Sequence, residues 1–258
     1  MMGAAMAERM VGARAGAALG VDASASAGSA AAGRAKAVLP ADAGAALGAL
    51  ARTAARLVRF PFGDGMIAFF CGLDVDDAED FVMGDPQCRE GARTIKGFFL
   101  EGDRAARVRE ASDDFHKLFV GPSKLLAAPW SSVYLDLGSL FGPTALAVER
   151  EFKRHGFAIP EGNREPCDHM AYELEFLAEL HQVAEDARAS GDEMAARTAY
   201  AEARAFKGRF VDPWADEFLD AVEAGARVDA YRGVALFIHG FLALEEAFLR
   251  TVGDEPGR

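Results

Sequence analysis

The sequence has little cysteine and no long apolar run, and each shortage narrows its class. The three cysteines, Cys71, Cys88 and Cys167, are scattered and form no CxxC pair. That argues against a disulfide framework or a zinc knuckle and fits a reducing compartment. No stretch of about 18 or more apolar residues occurs, so no bilayer-spanning helix is expected. The N-terminus carries Arg9 and Arg14, but alanine and glycine follow them without a leucine-rich core, which makes a poor secretory signal. The cytoplasm is therefore the expected location. Phosphate-cradling glycine patterns are missing, both GxxxxGK[ST] and GxGxxG after a strand. Histidines 116, 155, 169, 181 and 239 form no HExxH and no Glu-x-x-His pair, and no GxSxG elbow occurs. With none of these signatures present, the chain is not expected to be an enzyme, and neither a cofactor nor a metal is expected.

Basic residues are also in the minority. Forty acids against 28 bases give the 258-residue chain a net charge of −12. Such a chain repels nucleic-acid phosphate and anionic lipid, so neither is an expected partner. It attracts basic peptides. Hydrophobic residues make up 51% and charged residues 26%, ordinary values for a globular protein with a well-buried core. Residues 1–40 stand apart, being almost entirely Ala, Gly and Ser with Leu19 and Leu39 the only leucines. This segment cannot bury enough apolar surface to offset its ordering entropy, so a disordered tail is expected. A start codon placed too far upstream is the other reading.

From Asp42 onward the apolar residues recur with helical period. Leu47, Leu50, Ala54, Leu57 and Val58 share one face, and Pro61 stops that helix. Short apolar segments follow at Met66–Leu73 and Ala78–Met83. A helix is expected from Pro86, with Ile95, Phe98, Phe99 and Leu100 buried. Another is expected over Asp103–Val120, its core residues being Val108, Ala111, Phe115, Leu118 and Phe119. Gly121-Pro122 and Pro129 interrupt the pattern. Further helices read at Pro143–His155, Asp168 to about Ser190, Glu193–Phe210, Pro213–Ala224 and Asp229–Val252. The last carries Tyr231, Val234, Ala235, Ile238, Leu242, Glu245 and Leu249 inward. No strand pattern and no solenoid repeat occur. The expectation is an all-α bundle of about ten helices. The chain domain would occupy residues 41–252, in two subdomains (about 41–155 and 168–252) joined by a linker over 156–167.

Two segments carry more than packing information. Glu165-Pro166-Cys167-Asp168-His169 stands where the linker becomes a helix. Asp168 there can serve as a helix cap, with His169 a first-turn surface residue. Alternatively, the pair forms the acidic, polar rim of a peptide groove, where an exposed carboxylate could take an arginine bidentately. The second segment runs from Leu118 through Gly121-Pro122 to Pro129-Trp130-Ser131-Ser132-Val133-Tyr134. Trp130 and Tyr134, four apart, have the spacing of a core-facing helical pair, and large aromatics also dominate peptide pockets. A third stretch, Phe210-Val211-Asp212-Pro213-Trp214 with Phe218, reads mostly as core.

In this order, the segments resemble the TorD/DmsD family of redox-enzyme maturation chaperones over about residues 45–252. The match runs through Glu165, Pro166, Asp168, His169, Glu173 and Leu174 and on to Phe176, Leu177 and Leu180. Upstream it includes Asp114, Phe115, Gly121, Pro122, Pro129, Trp130, Ser132 and Tyr134. The Ala/Gly extension departs from the compact family pattern, and Phe60–Leu73 matches it only loosely. The resemblance implies a cytoplasmic chaperone without catalysis that serves a molybdopterin-containing oxidoreductase of the dimethyl sulfoxide or trimethylamine oxide reductase type. It would hold the twin-arginine leader, the apo form, or both, until cofactor insertion and before export. The implied leader-binding residues are Asp168, His169, Glu165, Pro166, Trp130, Tyr134 and Glu173. The implied assembly state is a monomer or a domain-swapped dimer. Within the resemblance two variants stay open. One is a NarJ-like assembly chaperone of a non-exported enzyme, and the other is a chaperone that uses guanine nucleotide.

Overall fold

The computed structural model describes residues 40–121, 124–159 and 165–253. The Ala/Gly-rich segment up to residue 39, Pro122 and Ser123 of the breaker segment, and residues 160–164 of the linker lie outside the described residues. So do residues 254–258. Within those limits the chain is all-α, as its periodicity predicts.

The helices are α1 (Ala43–Arg59), α2 (Asp64–Gly72), α3 (Pro86–Leu100), α4 (Arg104–Phe115), α5 (Ser131–Leu135) and α6 (Pro143–Arg154). After the linker come α7 (Met170–Ala189), α8 (Glu193–Phe206), α9 (Asp212–Gly225) and α10 (Asp229–Gly253). Local chemistry sets many of the boundaries. The Asp85 side chain accepts from the Gln87 and Cys88 amides while Pro86 occupies the first turn of α3. Asp103 and Asp192 cap α4 and α8 in the same manner. Two helices widen at their ends into single π turns, His116–Val120 after α4 and Lys207–Val211 between α8 and α9. The second turn carries α8 into α9 without a break. The segment expected as two separate helices, Glu193–Phe210 and Pro213–Ala224, is thus one continuous helical run.

The helices pack across long sequence distances. The main pairs are α3 with α10, α1 with α7, and α7 with α8, and α10 also touches α1, α8 and α9. The parts expected on either side of residues 156–167 therefore interleave, and one apolar cluster from Ala43 to Leu249 runs through both. At the α3–α10 crossing the backbones nearly touch: a Cβ on Gly233 would meet the Gly91 carbonyl oxygen at 2.8 Å. Glycine at that point is a packing requirement. The expected inward residues of α10, Glu245 included, are all buried. Glu245 reaches across to His181 on α7, with Nε2 and Oε1 2.9 Å apart.

One packing expectation needs correction. Leu100 is exposed, because α3 ends at that residue and turns its last side chain outward. Ala78–Met83 is a series of turns in which the Asp80 carboxylate accepts from the Val82 and Met83 amides.

Candidate functional site

The two motif segments meet in space. Trp130 and His169 form a short antiparallel bridge: the Ser131 amide donates to Asp168 O (3.0 Å), and the Met170 amide donates to Pro129 O (2.8 Å). The linker end is thereby tied to the entry of α5. Pattern reading does not find this bridge, because a single residue pair leaves no alternation to detect.

Asp168 is wholly buried, at 0% exposure, and it does not cap its own helix. Its Oδ2 accepts from the Ser132 amide at 2.7 Å and from Ser131 Oγ at 3.3 Å, so it caps α5 from outside. The expected exposed carboxylate, open to a bidentate arginine, is corrected by this burial. His169 is the residue that caps α7, with Nδ1 accepting from the Ala171 amide at 3.0 Å. It is buried rather than a first-turn surface residue, and its ring lies edge-on to Trp130 and tilted against Tyr172. Burial, aided by the charge of Arg59, pushes its pKa down to about 3. The ring is therefore neutral at ordinary pH, with its proton on Nε2.

Glu173, one turn into α7, is likewise wholly buried. Its Oε2 accepts from Trp214 Nε1 at 3.2 Å. Burial, together with the adjacent Asp168, raises its pKa well above the usual carboxylate range. It is not part of a solvated helix face. Four buried polar atoms at this junction, Trp130 Nε1, Ser132 Oγ, Asp168 Oδ1 and Glu173 Oε1, have no hydrogen-bond partner within the described residues. Tyr134 is half-buried against Trp214 and Phe218, at 5.3 and 6.5 Å between ring centroids. Trp130 and Tyr134 thus pack on different partners.

The other half of the motif borders a groove, with Pro166 buried in its wall. Glu165 is exposed, and with Pro166 and Cys167 it lines an open groove of about 440 Å³. The opposite wall belongs to α6 and its approach: Phe141, Ala145, Leu146, Glu149, Phe152 and Lys153. Phe157 and Ile159 complete the lining. Cys167 is half-buried in the wall, and its thiol donates to Ala145 O at 3.1 Å. Burial, with the nearby charge of Asp168, pushes its pKa up to about 11, so it is a protonated, inert wall residue.

Phe141 of the groove wall belongs to a strap between α5 and α6. Leu137, Leu140 and Phe141 are all exposed there, as are Leu135 at the end of α5 and Leu146 on α6. Leu137 and Phe141 have φ of 55° and 60°, in the left-handed region that bulky side chains seldom adopt. The strap is secured downstream by Asp136, whose carboxylate accepts from the Thr144 amide and hydroxyl, each at 2.9 Å. Sequence reading passed over these residues, although a signal was present. Leu137 to Phe141 places three large apolar side chains in a glycine-broken stretch where no helix can bury them.

Among the described residues no group of His, Cys, Asp and Glu side chains is arranged to hold a metal ion, and no helix is long and apolar enough to cross a membrane.

Comparison with known proteins bears on the same residues. A model of the nitrate reductase delta subunit family matches residues 84–220. The chaperone protein TorD of Vibrio cholerae is 35% identical over 92 residues, which is 36% of this chain and 42% of that protein. TorD of Vibrio parahaemolyticus is 26% identical over 148 residues, 57% of this chain and 67% of the relative. A Haemophilus influenzae protein described as a probable Tat proofreading chaperone DmsD is 36% identical over 70 residues, 27% of this chain and 34% of its own. The chain thus matches less than half the length of two of these three curated relatives. The family match takes in just over half of the chain and contains the Trp130 segment, the strap, the groove and the start of α7. On that ground the chain belongs to the nitrate reductase delta subunit family, which takes in the TorD and DmsD chaperones.

Proposed function

We propose that this protein is a cytoplasmic maturation chaperone, without catalysis of its own, for a molybdopterin-containing oxidoreductase. In this reading it binds the enzyme's twin-arginine leader or apo form and holds it until the cofactor is inserted, before export. The observation that carries the reading is the open apolar groove and strap beside the Glu165–His169 motif. A leader supplies an apolar stretch and an arginine pair. The apolar stretch fits against Phe141, Leu146, Phe157 and Pro166, where its burial drives binding. The arginines suit a chain of net charge −12, with Glu165 exposed at the groove's edge. Trp130, Tyr134 and the buried members of the motif lie outside the groove lining.

The matched family description, a subunit of nitrate reductase, favours a second reading as an assembly chaperone of an enzyme that is not exported. The two readings separate on the partner's N-terminus. Titration of the purified protein with a synthetic twin-arginine leader peptide, beside the same peptide with the arginine pair replaced by glutamine, tests the first. Binding that weakens several-fold on replacement supports leader recognition. Equal binding of both peptides favours the second reading, and binding of neither removes the groove as a leader site.

A further inference from the structure

We propose that Asp168 is a positioning residue: it fixes α5 from outside and through α5 sets the pose of the apolar strap, without touching the bound peptide. The proposal rests on the groove-and-strap reading given above.

The argument starts from the length of α5. Five residues are far too few for a helix to hold itself together, because nucleation is not repaid within one turn. Trp130 precedes α5 and offers no side-chain cap. Asp168, far along the chain, supplies what is missing. Its carboxylate takes the Ser132 amide and the Ser131 hydroxyl, and its main-chain oxygen takes the Ser131 amide. The start of α5 is therefore held by one residue of another element. The strap follows α5 directly, with Leu137 and Phe141 in left-handed conformations that persist only where both ends are fixed. Asp136 secures the far end on Thr144, and Asp168 secures the near end.

A carboxylate with 0% exposure is out of reach of a peptide arginine while the bridge between Trp130 and His169 is closed. Its effect on binding must pass through α5. The charge itself is then dispensable. One oxygen satisfies the Ser132 amide, and Oδ1, which has no partner within the described residues, marks a place that an amide NH2 group can occupy.

The test compares Asp168→Ala with Asp168→Asn in the full chain. The probe is a synthetic leader peptide with an Arg-Arg pair followed by about 12 apolar residues. Affinity comes from titration, and amide exchange is followed over residues 131–141. Asp168→Ala is expected to weaken binding about tenfold and to speed exchange in α5 by a similar factor, since the binding-competent pose becomes a minor population. Asp168→Asn is expected to restore both to within about threefold of wild type. An Asn variant as weak as the Ala variant would overturn the proposal, because an arginine contact needs the charge. Weakened binding in Ala with unchanged α5 exchange would overturn it as well. If the Ala variant does not fold, the Asn variant alone decides by the same threefold and tenfold limits. If wild type does not bind the probe, the proposed function fails. The clasp is then judged on exchange, where fast α5 exchange in Ala with slow exchange in Asn supports it and equal rates remove it.

Discussion

The two halves of the Glu165–His169 motif sit in opposite surroundings. Glu165, Pro166 and Cys167 line a groove open to solvent, whereas Asp168 and His169 are inside, bonded to the first turns of two different helices. A run of five residues thus serves surface and scaffold at once. Its polar members are not all available for recognition: the outer half presents a surface, and the inner half fixes the elements from which that surface is made. Glu173 belongs with the inner half, its carboxyl held by Trp214 and its pKa raised by burial.

Mutations should separate the halves by readout. Asp168→Ala strands the Ser132 amide and should cost about 2–3 kcal/mol in urea unfolding. His169→Ala removes the α7 cap and should cost about 1–2 kcal/mol by the same measurement. Glu173→Gln should change the pH dependence of stability. The folded pKa of Glu173 lies above its ordinary 4.5, so the folded protein binds the extra proton over that interval. Stability from this group is complete below pH 4.5 and is lost as pH rises toward the folded pKa. Glutamine keeps an acceptor for Trp214 Nε1 and has no proton to lose. Unfolding midpoints above pH 4.5 should therefore fall less steeply in the variant than in wild type, and parallel curves would show that Glu173 is ionised in the fold.

For the outer half, Phe141→Ser and Leu146→Ser should each change stability by no more than about 0.5 kcal/mol. Peptide titration should show weakening of about fivefold, since each removes an apolar contact. The smallest effect is expected for Glu165→Gln, about twofold weaker binding that vanishes in 1 M salt, where screening shortens to about 3 Å. A stability loss from the outer variants larger than that from Asp168→Ala would undo the division.

Most of the helices were legible because the 3.6-residue period and the Asp and Pro start signals act locally. Asp85-Pro86, Asp103 and the stop at Pro61 are where the sequence places them. The Phe210–Phe218 stretch is core, as read: Phe210, Val211, Trp214 and Phe218 are all buried. What could not be read was which element each polar motif residue serves. Asp168 has the sequence context of a cap for α7, yet the amide it takes belongs to Ser132, and only tertiary packing brings the two together. Glu173 likewise has the spacing of a solvated helix face, and its burial follows from α9 lying over it with Trp214. The π turn at Lys207–Val211 escaped because its residues fit an ordinary helix, and the extra residue per turn becomes visible only in the hydrogen bonds.

The close meeting of Gly91 and Gly233 has a consequence for biosynthesis. During translation, α3 leaves the ribosome long before α10, the helix whose backbone it contacts. Until that C-terminal stretch emerges, the face of α3 that carries Cys88, Gly91 and Ile95 stays uncovered. The nascent chain is thus itself a polypeptide in need of cover, and its core can close only once α10 has emerged.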